Sequence, residues 1–236
     1  MSRHPALDDV QALTFDLFGT VLDLDASLTP FIEQFLQKRP GHEVSAGLFW
    51  EQWRYRQRLE QFQDTLMQLG HGGYLETVRR ALVYVLRLND LPDNPADVLE
   101  LMEAWPHLKP FPEVSGTLGR LGSRYRLVVL SNGDAEFLAH LVENQIEGDP
   151  FHDVISVDTA GAFKPHPSVY RSCARDMHLE LGQCLMVSTN SFDVVGARAC
   201  GMRAAFVNRN LLPYEDTPYQ PDIVVDDFTG LVDALL

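Results

Sequence analysis

The sequence predicts an α/β protein, a doubly wound parallel sheet interrupted early by an all-helical insertion. Three observations carry that prediction. Short, near-continuous runs rich in Val, Leu and Ile recur through the second half, as expected of parallel strands buried on both faces. Helix-length stretches lie between several of these runs, and strand–helix–strand alternation means a doubly wound sheet. Residues from about 25 to 108 hold no convincing strand and read as helices.

Ala12-Leu13-Thr14-Phe15-Asp16 reads as the first strand, buried and ending in a carboxylate, with Leu17-Phe18-Gly19-Thr20 as a tight turn. Helices follow at roughly 27–38, 45–69, 74–88 and 95–103. They are punctuated by Pro40-Gly41, by Gly70-His71-Gly72-Gly73 and by Pro92 with Pro95. Within them Trp50, Trp53, Phe62, Leu66 and Leu69 recur at helical intervals and are expected to pack inside this unit. The later strands are Arg126 to Leu130, Val154 to Val157, Leu185 to Val187, Ala204 to Val207 and Ile223 to Val225. Helices at 134–144, 167–178 and 192–200 join them, giving about six strands in all. The chain is therefore expected to divide into an α/β core, residues 1–24 and 108–236, and a helical cap, residues 25–107. An all-helical block between the first and second strands suggests a cap placed over the carboxyl edge of the sheet.

Composition narrows the function classes. With 45% apolar and 22% charged residues in 236, the chain is an ordinary globular one. No segment approaches the ~20 apolar residues that span a bilayer. Met1-Ser2-Arg3-His4-Pro5 lacks the apolar stretch of a secretory signal, so a cytoplasmic location is expected. A net charge of −14 disfavours nucleic acid and anionic membranes as partners. If the substrate is an anion, an acidic protein must gather a few cations at its site. Cys173, Cys184 and Cys200 are odd in number and widely spaced, against a disulfide framework or zinc site. The eight histidines show no metal-ligand spacing.

Four groups stand at the ends of apolar runs. Asp16 ends the first, and Ser131-Asn132-Gly133 follows Leu127 to Leu130. Lys164-Pro165 follows the third strand after a short Gly-containing loop, and Ser188-Thr189-Asn190-Ser191-Phe192-Asp193 follows Leu185 to Val187. Alone, each reads as a turn or a helix cap. A carboxylate at the carboxyl end of a strand stands where open α/β sheets place their chemistry, and it can act as a nucleophile.

This order resembles the haloacid dehalogenase superfamily over nearly the whole chain. The resemblance implies a Rossmann-like core with Asp16 as nucleophile, and Ser131 and Lys164 holding the substrate's anionic part. Two departures bear on the chemistry. Phe18 stands where the phosphatases of the superfamily carry a general-acid Asp, and Thr189 stands where one carries a magnesium-binding Asp. Only Asp16 and Asp193 remain of the carboxylates, so no metal and no other cofactor is expected.

Both departures look like the L-2-haloacid dehalogenases. Further matches are Phe15 to Thr20, Leu130 to Gly133, Ser156-Val157-Asp158 before the lysine, Tyr170 six residues beyond it, and Val207-Asn208-Arg209. The resemblance implies that Asp16 attacks the α-carbon of a small anionic 2-haloacid, inverting it and forming an ester. Halide leaves without a proton, which suits Phe18. Water then hydrolyses the ester at the Asp16 carbonyl, with Asp193 as the candidate general base. Ser131 and the Asn132 backbone are donors for the substrate carboxylate, and Thr20, Ser188 and Asn190 are expected to orient Asp16 and the water.

The family also sends a cap arginine, in a Trp-Arg sequence, to the departing halide. Trp53-Arg54 fits, with Arg56 and Arg58 as the alternatives in Trp53-Arg54-Tyr55-Arg56-Gln57-Arg58. Phe18, Tyr74 and Phe192 fall where the family places Tyr, Phe and Trp around the halide pocket, and core packing is the competing explanation for all three. Halide preference, fluoride included, turns on the size of that pocket. The resemblance also implies a homodimer. The competing readings are a hydrolase of another activated carbon–heteroatom bond in a small carboxylic acid, a magnesium-dependent phosphatase, and a catalytically silent binding protein.

Overall fold

The fold was taken from a computed structural model, which describes residues 7–236. The segment Met1-Ser2-Arg3-His4-Pro5 lies outside the described residues. Strand β1 (Ala12–Phe15) is buried along its whole length. Its one polar residue, Thr14, is satisfied by the Leu185 carbonyl at 3.3 Å. After the turn at 17–20, a two-residue strand β2 (Leu22–Asp23) leads into helix α1 (Leu24–Gln37), whose N-terminus Asp23 caps by accepting from Ala26 N–H.

Three more helices follow, α2 (Ala46–Leu66), α3 (Tyr74–Leu88) and α4 (Pro95–Met102). The chain returns through β3 (Lys109–Pro110), which pairs antiparallel with β2. All four inserted helices therefore enter and leave through one short two-stranded ribbon. The sequence reading lacks that ribbon, because two residues are too few for any periodicity.

The remainder alternates regularly: α5 (Val114–Gly122), β4 (Arg126–Ser131), α6 (Ala135–Gln145), β5 (Asp153–Ser156), α7 (Pro167–Asp176), β6 (Cys184–Ser188), α8 (Ser191–Cys200), β7 (Arg203–Val207), β8 (Ile223–Val225) and α9 (Phe228–Leu235). The six long strands lie parallel in the order β5-β4-β1-β6-β7-β8. Helices cover both faces. Leu13, Phe15, Leu127 and Val129 pack with α5, α6 and α9, whereas Ala12, Val128, Leu130 and Met186 pack with α7 and α8. That period-two division of each strand is why the runs read as continuously apolar.

From β1 the chain builds outward through β4 and β5, then crosses to β6, β7 and β8 on the other side. The strand order thus reverses at β1. The crevice at the carboxyl ends there is where such sheets bind ligands, and Asp16 is the residue that follows β1.

The inserted helices differ from expectation at one end. Trp50 and Trp53 are buried as predicted, but α2 stops at Leu66, and Leu66 and Leu69 are exposed. Beyond Trp53 the buried stripe of α2 turns polar, through Gln57, Glu60, Gln61 and Asp64. Polar groups bury when they have partners. Here Asn132 Nδ2 at a strand end donates to Gln61, while arginines of the inserted helices pair with the others, Arg54 with Gln57, Arg56 with Glu60 and Arg80 with Asp64. The Asp134 carboxylate in turn accepts the first N–H groups of α3 from Tyr74 and Leu75. Among the described residues no helix is long and apolar enough to cross a membrane. The cysteines are free, two buried and one half-buried.

Candidate active site

Asp16 is the centre of a bonded set drawn from four strand ends. Its Oδ2 accepts from Thr20 Oγ1 and from Asn190 Nδ2, each at 2.9 Å. Among the described residues its Oδ1 has one hydrogen-bond partner, Lys164 Nζ at 3.4 Å. Gly19 makes the turn possible: its φ of +88° is a left-handed conformation that favours glycine, and it brings Thr20 back over the carboxylate. Thr20 in turn accepts from Thr189 N–H at 3.0 Å, so the turn after β1 is tied to the loop after β6.

Lys164 bridges two carboxylates. Its ammonium is 2.9 Å from Asp193 Oδ2 as well as 3.4 Å from Asp16, and its side chain is 1% exposed. The loop that carries it is held from the neighbouring strand, since Lys164 N–H donates to Asn132 Oδ1 at 2.8 Å. Asp193 is on the first turn of α8, and Tyr170 donates to its Oδ1 at 2.8 Å. Gly196 lets α8 approach, because a Cβ there would stand 2.6 Å from both Pro165 Cβ and the Tyr170 hydroxyl. Burial raises the Asp193 carboxyl above the ordinary carboxylate value, with Lys164 pulling in the opposite direction. Burial, then the Asp193 charge, raises the Tyr170 hydroxyl well above its usual value.

Two arginines, one turn apart on α2, enter from the helical side. Arg54 Nη2 donates to the Phe18 carbonyl at 3.3 Å and Nη1 to Gln57 Oε1 at 2.9 Å. Arg58 Nη2 donates to Asn190 Oδ1 at 2.7 Å, which turns the amide N–H of Asn190 toward Asp16. Burial first, and Arg54 second, draw the Arg58 guanidinium down to about 10. Arg56 leaves the site, pairing with Glu60 and lying over the Tyr84 ring. A cleft of about 450 Å³ opens beside them, lined by Trp50, Arg54, Arg58, Thr189, Asn190 and Phe192 among others.

The aromatic positions are packed. Phe18 is 2% exposed and stacks on Tyr74 with 4.1 Å between centroids. Phe192 packs edge-on against Phe62 and lies beneath Arg58. Ser131 and Ser188 are buried, and their hydroxyls meet backbone: Ser131 Oγ accepts from Gly133 N–H and Ser188 Oγ from Asn190 N–H. Ser188 thus shapes the loop of Asn190, and it is Asn190 that meets Asp16.

A family model described as haloacid dehalogenase-like hydrolase matches residues 10–201. The chain belongs to the haloacid dehalogenase-like hydrolase family. It is similar to haloacetate dehalogenase H-2 of Moraxella sp. (strain B), 31% identical over 94% of this chain and 96% of the relative. It is also similar to (S)-2-haloacid dehalogenase H-109 of Pseudomonas putida, 26% identical over 98% and 100%. A solved L-2-haloacid dehalogenase from Xanthobacter autotrophicus, with chloropropionic acid covalently bound, superposes with a TM-score of 0.81. It is 26% identical, over 95% of this chain and 97% of that one.

A magnesium site built on strand-end carboxylates does not fit the donor set here. Thr189 offers a hydroxyl that donates to the Gly19 carbonyl at 2.8 Å. The space between Asp16 and Asp193 is taken by the Lys164 ammonium. A hard octahedral cation would need those same oxygens. Elsewhere His71, Asp134 and Asp158 bring ligand atoms together. Their groups are already engaged, with Asp134 on the α3 N–H groups, Asp158 on Ala135 N–H, and His71 between the Asn132 carbonyl and Asp158.

Gln57, Gln61 and His71 join the site without having been singled out in the sequence. The signal for the glutamines is present: they follow Trp53 at four-residue spacing, so they lie on its buried face. For His71 the sequence offers only a glycine-rich punctuation mark.

Proposed function

We propose that this chain is a metal-independent hydrolase of small 2-haloacids that works through an ester on Asp16. The observation that carries the reading is the pairing of Asp16 with Phe18. The carboxylate is fully positioned, yet the residue that would protonate an alkoxide leaving group is a buried phenyl ring. A leaving group that departs as a stable anion needs no such acid. The relatives named as haloacid dehalogenases, and the covalent chloropropionic acid adduct of one solved enzyme, support the same assignment.

The two Asp16 oxygens divide the work, a reading that their different hydrogen-bond partners support. Oδ1, with its single long contact, is the freer nucleophile. It attacks the α-carbon in line with the carbon–halogen bond, the new C–O bond forms, and the halide takes the bonding pair. L-substrate is inverted to D-hydroxy acid. Oδ2 then becomes the ester carbonyl oxygen, and the donors it already has, Thr20 and Asn190, stabilise the negative charge that grows on it as water attacks. Asp193 takes the proton of that water, and its raised carboxyl makes it a stronger base than an exposed aspartate. Tyr170 and Lys164 hold it in place, while Lys164, Ser131 and the Asn132 backbone receive the substrate carboxylate. Residues 25–107 act as the cap that brings Arg54 and Arg58 over the nucleophile.

The charges support a monoanionic substrate. Lys164, Arg54 and Arg58 set three positive charges against the two carboxylates of Asp16 and Asp193. The test is halide release from L-2-chloropropionate with EDTA present, run beside p-nitrophenyl phosphate with added magnesium. Halide release unaffected by EDTA is expected. Metal-dependent phosphate release without halide release would make the chain a phosphatase.

A further inference from the structure

On the helical side of the site, two buried polar groups beside Arg54 have no hydrogen-bond partner of their own among the described residues. Gln57 is 0% and Tyr74 1% exposed. Arg54 donates to Gln57 Oε1, and because a guanidinium can only donate, the amide oxygen must face it and the amide N–H groups must face away. Among the described residues neither Gln57 Nε2 nor the Tyr74 hydroxyl has a hydrogen-bond partner of normal geometry, although the hydroxyl lies close enough to Gln57 and Arg54 to be influenced by both. Buried polar groups are nearly always paired, so two unpaired ones beside a guanidinium call for an explanation. A set of donors around a cation is the complement of an anion.

In-line attack says which anion. Asp16 stands at the carboxyl edge of the sheet, so the bond it breaks points away from the sheet toward the elements covering that edge. Those elements are α2 and the start of α3, which carry Arg54, Gln57 and Tyr74. Tyr74 is fixed there by its stack on Phe18 and by the Asp134 cap of its helix. Burial pushes its hydroxyl up to about 12, so it remains a protonated donor through the ordinary pH range.

We propose that the Tyr74 hydroxyl and the Gln57 amide donate hydrogen bonds to the departing halide beside Arg54, and thereby tune the enzyme toward the smaller halides. The inference rests on the dehalogenase reading and adds its leaving-group specificity. Chloride and above all fluoride are compact, strongly hydrated ions that lose most on leaving water, and hydrogen bonds replace what they lose. Bromide is larger and more polarizable and depends less on such bonds. No proton moves: the carbon–halogen pair leaves with the halide, and Tyr74 keeps its hydrogen.

The experiment compares kcat/KM for fluoroacetate, chloroacetate and bromoacetate in the wild-type enzyme, Tyr74→Phe and Gln57→Leu. Tyr74→Phe keeps the ring and its stack, so the fold is expected to survive. A hydrogen bond to a charged group is worth about one order of magnitude in rate, so Tyr74→Phe should cut chloroacetate turnover about tenfold. Bromoacetate should fall by less than about threefold, and any fluoroacetate activity should fall most. Gln57→Leu should show the same ordering. Equal losses on chloroacetate and bromoacetate, or no loss on either, would overturn the proposal while leaving the hydrolase reading intact. A wild-type enzyme that releases no halide from any of the three would overturn both.

Discussion

The Lys164 ammonium lies 2.9 Å from the Asp193 carboxylate, and both side chains are 1% exposed. A buried charge this close to its partner is tolerated because their mutual attraction offsets the cost of taking both out of water. Lys164 also faces Asp16, so one cation holds the proposed nucleophile and the proposed base in register.

Lys164→Met should therefore leave two buried carboxylates uncompensated. Breaking such a set costs about 3–5 kcal/mol, measured as a lowered urea midpoint, with halide release abolished as well. A variant that loses activity but keeps wild-type stability would mean that Lys164 only binds substrate.

Asp193 gives a pH dependence with opposite signs for stability and rate. Its folded carboxyl is raised above the unfolded value of 3.8, so the folded state binds its proton more tightly. The stability from this group is present below the unfolded value and is lost as pH rises through the folded one. Catalysis runs the other way, because the base must be ionised. The acid limb of kcat should accordingly lie above that of an exposed aspartate, while urea titrations show this group's contribution shrinking across the same window. An acid limb at the value of an exposed aspartate would remove Asp193 from the role of base.

Arg58 is expected to act through Asn190. Its bond to Asn190 Oδ1 fixes the amide so that Nδ2 meets Asp16. Arg58→Met frees the amide to turn and should lower kcat about tenfold, on the scale of one charge-assisted hydrogen bond. Arg58→Lys should restore part of that loss, since an ammonium can donate to the same oxygen. Identical kinetics for the two variants would assign Arg58 to packing alone.

How much of this was legible beforehand depends on the kind of signal. The six strands and the inserted helices could be read because β1, β4 and β6 are apolar on both faces and the insertion has no such run. Asp16, Lys164, Asn190 and Asp193 could be read because each follows a strand. Helix α5 could not, as Gly116, Gly119 and Gly122 mask the buried stripe Val114, Leu118 and Leu121. Helix α9 could have been found from Phe228, Leu231, Val232 and Leu235 at helical spacing, although it is only eight residues long. Among the arginines, Arg54 and Arg58 share one face of α2 while Arg56 lies off it, but sequence spacing does not say which face meets the sheet. That was settled by Trp53 packing against Trp105 and by the polar stripe beyond it.

The most direct measurement follows a heavy oxygen through one turnover. Enzyme in excess over L-2-chloropropionate, in water enriched in the heavy isotope, should release a hydroxy acid whose new oxygen is light, because it came from Asp16. The heavy oxygen should be found in the Asp16 peptide by mass spectrometry, and Asp16→Asn should lose activity by roughly 10⁴-fold or more. Heavy oxygen in the first-turnover product, with none on Asp16, would mean that water attacks carbon directly and that no ester forms.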